Sequence, residues 1–291
     1  MPESGGVSTK LAPRSEETPK TSSLSPDVPQ RQIELFRDVL QALEKERIPY
    51  AISGAFALRQ HTGICRFTKD LDLFATSKNC DRALSCLQRA GMECEVTDPV
   101  WLCKARRDGF FVDLISGMSN GLIAVEDSWI ERSRPAVVYD VESRVLAPEE
   151  LVASKIFVAR RERFDGADIA HVIYSTCNAF DWQRELDLVG EHWEMLLWGL
   201  MLFRYVYPAQ TQCVPADVWS TLLRRFEREI QGPNPAASFR GSLVDDNMFA
   251  IDVEEWGMAN LLEESRRKRL SKVGMQQPSD CQTSKPVRKR A

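Results

Sequence analysis

The chain has 291 residues, 43% hydrophobic and 27% charged, with a formal net charge of −4. Such a composition belongs to a soluble globular protein with one good core and a smaller second unit, and no apolar run approaches the ~20 residues needed to span a bilayer. The acidity argues against wholesale electrostatic capture of nucleic acid, while leaving room for a local basic groove.

Residues 1–30 are rich in Ser, Pro and Thr and lack an apolar signal core, so a disordered leader is expected and secretion is not. Ile33, Leu35, Phe36, Val39, Leu40 and Leu43 recur at helical spacing and predict an amphipathic helix to about Arg47. Pro49 to Ile52 makes a first strand that ends at Ser53-Gly54. A short helix from Ala55 to His61 follows, broken by Thr62-Gly63. Backbone amides at a glycine turn that leads into a helix can cradle phosphate.

Arg66 and Lys69 precede the stretch Asp70-Leu71-Asp72-Leu73-Phe74. Its alternation at period two predicts a half-buried strand, with both carboxylates on one face. Side by side at ~4–5 Å and an effective dielectric of ~20, they repel by on the order of 3–4 kcal/mol. An acidic edge strand facing water tolerates this; a half-buried one calls for a cation, and Mg²⁺ suits an all-oxygen site that also takes substrate phosphates.

A helix from Asp81 to Ala90 ends at Gly91. Strands follow at Met92 to Val96 and Val100 to Arg106, then an Asp108-Gly109 hairpin signal. The next strand, Phe110 to Ile115, carries Asp113. A lone carboxylate in so apolar a run should be paired, liganded or protonated. Antiparallel pairing with a neighbouring strand would bring it towards the edge that holds Asp70 and Asp72.

Ser116 to Gly121 is a loop and Val125 to Arg132 is ambiguous. Short strands are expected at Ala136 to Tyr139 and Arg144 to Leu146. Pro148 and the acids Glu149 and Glu150 suit the first turn of a helix running from Leu151 to about Arg161 and carrying Lys155. Asp165 is expected to cap the next helix, where Asp168 and His171 share a face and suggest a structural hydrogen bond or ion pair.

From Asp181 onward long apolar helices take over, with Trp193, Leu196, Leu197, Leu200, Met201 and Phe203 in one segment. A second helix spans Pro215 to Ile230. Gly232 to Pro235 reads as a linker, and Ile251 to Leu262 as a last short segment against the core. Arg266-Arg267-Lys268-Arg269 and Lys285 to Arg290 predict a basic disordered tail. The resulting division is a leader at 1–30, an α+β domain at 31–178, an all-α domain at 179–264 and a tail at 265–291. The chain has 8 cysteines without a C-x-x-C pair and 3 histidines. A structural zinc site is therefore not expected, and scattered free thiols suggest a reducing, cytoplasmic setting.

The order apolar-Ser53-Gly54, helix, Asp70-x-Asp72 strand and later strand Asp113 resembles the nucleotidyltransferase fold of the DNA polymerase β superfamily. Thr68-Lys69-Asp70-Leu71-Asp72-Leu73 and the later Lys155 are most similar to the minimal bacterial nucleotidyltransferases, a group that includes abortive-infection-type toxins and is similar to the aminoglycoside nucleotidyltransferases. The resemblance covers roughly residues 33–175. It implies an α+β fold, a nucleotidyltransferase-like mixed sheet flanked by helices and followed by an all-α domain. It also implies an enzyme that moves a nucleoside monophosphate from a nucleoside triphosphate to an acceptor hydroxyl on a small molecule, RNA or protein, with Mg²⁺ or Mn²⁺ as cofactor.

On that resemblance Asp70, Asp72 and Asp113 are the catalytic residues and metal ligands. Ser53, Gly54, Lys69 and Lys155 bind the nucleotide, with help from Arg66. The family usually has Gly-Gly or Gly-Ser where this chain has Ser53-Gly54. That departure supports an alternative, a non-catalytic nucleotide-binding or scaffold protein on the same fold. A divalent-metal nuclease ranks last, because no Glu-x-Lys signature stands near Asp113.

Overall fold

The computed structural model describes residues 28–273. The first helix, α1 (Gln30–Lys45), buries the predicted stripe, with Leu35, Phe36, Val39, Leu40 and Leu43 out of contact with solvent. Each such side chain contributes roughly 1.5–3 kcal/mol of transfer free energy. After β1 (Ala51–Ile52) come α2 (Gly54–Thr62), β2 (Asp70–Phe74), α3 (Ser77–Arg89), β3 (Glu93–Asp98), β4 (Leu102–Arg107) and β5 (Phe110–Ile115). Then follow α4 (Asp127–Arg132), β6 (Arg134–Val138), β7 (Val141–Val145), α5 (Pro148–Ala153), β8 (Ala159–Arg160), β9 (Arg163–Phe164) and α6 (Gly166–Thr176). The remaining helices are α7 (Trp182–Val189), α8 (Trp193–Val206), α9 (Ala216–Gln231), α10 (Gly241–Val244), α11 (Ala250–Glu254) and α12 (Leu261–Val273).

Seven strands form one mixed sheet in the order β3-β4-β5-β2-β1-β7-β6. The β4–β5 hairpin turns through Asp108 and Gly109, whose φ angles are 53° and 80°, the left-handed pair that a two-residue Asp-Gly turn adopts. Asp113 does not reach the acidic strand by antiparallel pairing. The strand β5 is antiparallel to β4 and parallel to β2, in register Asp70↔Phe111 and Asp72↔Asp113.

Alternation gives the sheet two unlike faces. Leu71, Leu73, Ala105, Val112 and Leu114 are buried on the face that α1 and α3 cover. The opposite face carries Asp70, Asp72, Phe111, Asp113, Lys104, Arg106, Glu93 and Glu95 across β2, β5, β4 and β3. Beyond the sheet, α2, α5, α6 and α7 pack together and α8 packs on α6. One cluster of buried apolar side chains runs from Leu35 to Leu222.

Several local expectations are corrected. The helix that opens at Pro148 stops at Ala153, so Lys155 lies in the turn after it. The chain then forms the β8–β9 hairpin where helix to Arg161 was expected. The run Arg266 to Arg269 is not a disordered tail: it stands in α12, where Arg266 pairs with Asp98 at 2.9 Å and Arg269 donates to the carbonyl of Ser116 at 2.8 Å. Residues 1–27 of the leader and Lys285 to Arg290 lie outside the described residues. Not all thiols are free, for Cys177 is bonded to Cys213, while Cys65, Cys80, Cys86, Cys94 and Cys103 are free.

Candidate active site

Two strands deliver the acidic group. Because Asp72 and Asp113 are in register on a parallel pair, and Asp70 is two residues before Asp72, all three side chains leave the same face. One carboxylate oxygen from each lies within 4.8 Å of the others. Burial, and then the charges of Asp70 and Asp113, push the Asp72 carboxyl up to about 7. Burial also raises Asp113, against a lowering by its bond to Lys104. Asp70 is held by Thr68, whose hydroxyl donates to Oδ1 at 2.6 Å. Three converging hard oxygens that resist sharing the space as free anions suit a divalent cation such as Mg²⁺.

The Ser53-Gly54 turn stands against this group. Ser53 is buried and donates its backbone N–H to the carbonyl of Asp72 at 2.8 Å. That amide is therefore committed to the protein and is not a phosphate donor as expected. Gly54 opens α2 with φ +57°, and a Cβ there would overlap Oδ2 of Asp72 and lie 3.0 Å from its Cγ. Close approach to the carboxylate thus falls on Gly54, and the Ser that departs from the family pattern lies one residue before it.

Lys155 takes part in a chain of alternating charges. Its ammonium lies 2.6 Å from Asp165 and 3.0 Å from Asp168. Arg163 grips Asp165 with two hydrogen bonds of 3.0 and 3.1 Å, and Arg66 pairs with Asp168. Asp165 precedes α6 but makes no side-chain cap there; it serves the two cations instead. Although burial opposes it, the bond from Arg163 and the charge of Lys155 hold its carboxyl below the usual range. Asp168 pairs with Lys155 and Arg66, not with His171, whose Nδ1 has no hydrogen-bond partner. Both Lys155 and Arg163 act electrostatically on Asp72. Lys69 is exposed at the bend before β2 and belongs to none of the described ion pairs.

On the other flank, Lys104 stands opposite Asp113 in the β4–β5 ladder, with Nζ 2.5 Å from Oδ1. An open hollow of about 730 Å³ lies beside it, lined by Glu93, Lys104, Arg106, Arg107 and Phe111 together with the Asp108-Gly109 turn. Arg163, Asp165 and Lys104 were not singled out from the sequence as site residues. The signal for Lys104 was available: a two-residue turn at Asp108-Gly109 pairs 107 with 110 and therefore 104 with 113.

The chain matches the family model described as nucleotidyl transferase of unknown function (DUF2204) over residues 32–188. No curated protein sequence matches it. Among solved structures, a nucleotidyltransferase-like protein from Paracoccidioides brasiliensis is 19% identical, with a TM-score of 0.42, over 63% of this chain and 94% of its own. The antibiotic-resistance factor ANT(2'')-Ia is 14% identical with a TM-score of 0.38, over 70% of this chain and 99% of its own. The lincosamide antibiotic adenylyltransferase LnuA, bound to lincomycin, is 14% identical with a TM-score of 0.36, over 50% of this chain and 96% of its own. These likenesses are too distant to carry an argument about substrates. The family match spans more than half of the chain, from α1 through the acidic strands and the Lys155 segment to α7, and on it this protein belongs to the nucleotidyl transferase family DUF2204.

Proposed function

We propose that the protein transfers a nucleoside monophosphate from a nucleoside triphosphate to an acceptor hydroxyl, using Mg²⁺ or Mn²⁺ held by Asp70, Asp72 and Asp113. The observation that carries this reading is the convergence of three carboxylate oxygens within 4.8 Å. When bound, a divalent ion there would stabilise charge on the phosphate oxygens and lower the pKa of the attacking hydroxyl.

The chain's own groups divide the work on either side of the acids. Lys155 and Arg163, held by Asp165, would meet the triphosphate and neutralise its charge. Gly54 leaves room for the Asp72 carboxylate against the start of α2, and the first-turn amides of that helix would be directed at phosphate. Asp113 would accept the proton of the acceptor hydroxyl, which would approach over the open face of β4 and β5. The hollow there is lined by the ring of Phe111, over which Lys104 lies, by Arg106 and Arg107, which pair with Glu95 and Asp38, and by the acid Glu93. A lining with charges of both signs suits a polar acceptor, on a small molecule, an RNA or a protein.

No helix among the described residues is long and apolar enough to cross a membrane. We place the enzyme in the cytoplasm on the five free thiols among the described residues, Cys65, Cys80, Cys86, Cys94 and Cys103, against which the Cys177–Cys213 bond stands. The test is transfer of label from each α-labelled nucleoside triphosphate, with Mg²⁺, to components of a cell extract. Release of pyrophosphate should accompany transfer, and the Asp70→Ala/Asp72→Ala protein should show neither. Transfer that survives in that variant removes the mechanism.

A further inference from the structure

The three carboxylates do not share the same surroundings. Asp113 already has a cation of its own: Lys104 Nζ lies 2.5 Å from its Oδ1, with the two side chains only 16% and 12% exposed. The ammonium is held from a second side by the ring of Phe111, whose centroid is 4.2 Å away. Across the sheet, Glu95 is opposite Lys104 in register but bonds Arg106 at 2.5 Å instead. Asp113 is thus the carboxylate partner of Lys104 among the described residues. Both residues are fixed by one hairpin, so the contact is built into the ladder and does not depend on a chance meeting of long surface side chains.

An ammonium and a divalent cation on one carboxylate repel each other, and the repulsion grows where water is excluded. We propose that Lys104 is the resident counter-ion of Asp113 and competes with the divalent cation for it. In the nucleotide-free protein, Asp70 and Asp72 take the first ion while Lys104 keeps Asp113 from completing the coordination. The third carboxylate becomes a ligand only when the ammonium turns away, and the side chain then projects into the hollow it already lines. Lys104 would therefore be a positioning residue that sets how many ions the free enzyme holds. This rests on the reading of Asp70, Asp72 and Asp113 as a metal site.

The test is a calorimetric titration of the full chain with MnCl₂, without nucleotide, for the wild type and for Lys104→Met, Lys104→Gln and Lys104→Arg. The neutral variants should bind Mn²⁺ about tenfold more tightly, or gain an additional ion. Lys104→Arg keeps the charge and should match the wild type. A melting curve for each variant establishes that it is folded, and the neutral pair provides two independent chances of a folded protein. Unchanged or weaker binding in folded neutral variants, with Mn²⁺ still bound by the wild type, overturns the role of Lys104 and leaves the metal site standing. Absence of Mn²⁺ binding in every protein overturns the metal site and this proposal with it.

Discussion

Gly54 and the carboxylate of Asp72 fit together only because residue 54 has no side chain: a Cβ there would overlap Oδ2 of Asp72, and the backbone sits at φ +57°. The left-handed conformation alone costs a non-glycine residue roughly 1–2 kcal/mol. The overlap must also be relieved by moving Asp72, which lies in register with Asp113. Gly54→Ala should therefore lower stability by about 1–3 kcal/mol and reduce nucleotidyl transfer by about a hundredfold or more. Initial rates and a denaturant melt measure the two effects. Wild-type rates in Gly54→Ala would mean that Asp72 does not need its present position.

The acidic group makes stability depend on pH. A carboxyl whose folded-state pKa is raised binds its proton more tightly in the folded protein than in the unfolded one. Stability therefore falls as pH rises above the unfolded value near 4, and levels off once the folded value is passed. For Asp72 that upper limit is about 7, and a change of this size corresponds to about 4 kcal/mol. Asp113, raised chiefly by burial, acts in the same direction. In EDTA the melting temperature should fall between pH 5 and pH 8, and Mg²⁺ should restore more of it at pH 8 than at pH 5. Asp72→Asn should flatten the profile in EDTA while removing transfer; a slope unchanged by that substitution would place its origin elsewhere.

The flanks of the acidic group should respond differently. Lys155→Met removes the ammonium between Asp165 and Asp168 and is expected to raise KM for the triphosphate by about tenfold or more. Arg106→Glu reverses a charge in the hollow and is expected to raise KM for the acceptor by a similar factor, leaving that for the triphosphate unchanged. Equal effects of both substitutions on both substrates would dissolve the division between a phosphate side and an acceptor side.

The bond between Cys177, at the end of α6, and Cys213, before α9, closes a loop of 36 residues. The loop-entropy relation gives about 4 kcal/mol for a closure of that length. Reduction by dithiothreitol, or Cys213→Ala, should lower the denaturation midpoint accordingly, with the slope of the transition as a check on cooperativity. A midpoint insensitive to both would mean that α6, α8 and α9 hold together by packing alone.

Much of the site was legible where chemistry and local geometry coincide. Period-two alternation placed Asp70 and Asp72 on one face, and the Asp108-Gly109 turn was sufficient to align Lys104 with Asp113. The alignment of Asp113 with Asp72 was not legible, because α3, β3 and β4 intervene between the two strands. Nothing near either strand specifies parallel pairing. Lys155 was found, but its partners were not: a predicted helix cap at Asp165 gave way to an ion pair once the chain left the helix at Ala153.

By itself the amino-acid order determined which faces would be apolar, where the chain would turn, and which side chains bring negative charge to a strand. These outcomes depend on steric and solvation preferences that act over a few residues. Beyond that hairpin, the tertiary structure alone decided which charges meet. It joined Asp72 to Asp113 across a parallel ladder, Lys155 to Asp165 and Asp168, Cys177 to Cys213, and Arg266 of a seemingly solvated basic run to Asp98. A side chain's choice of partner is settled by how whole helices and strands pack, and that packing is a property of the assembled core rather than of any one segment.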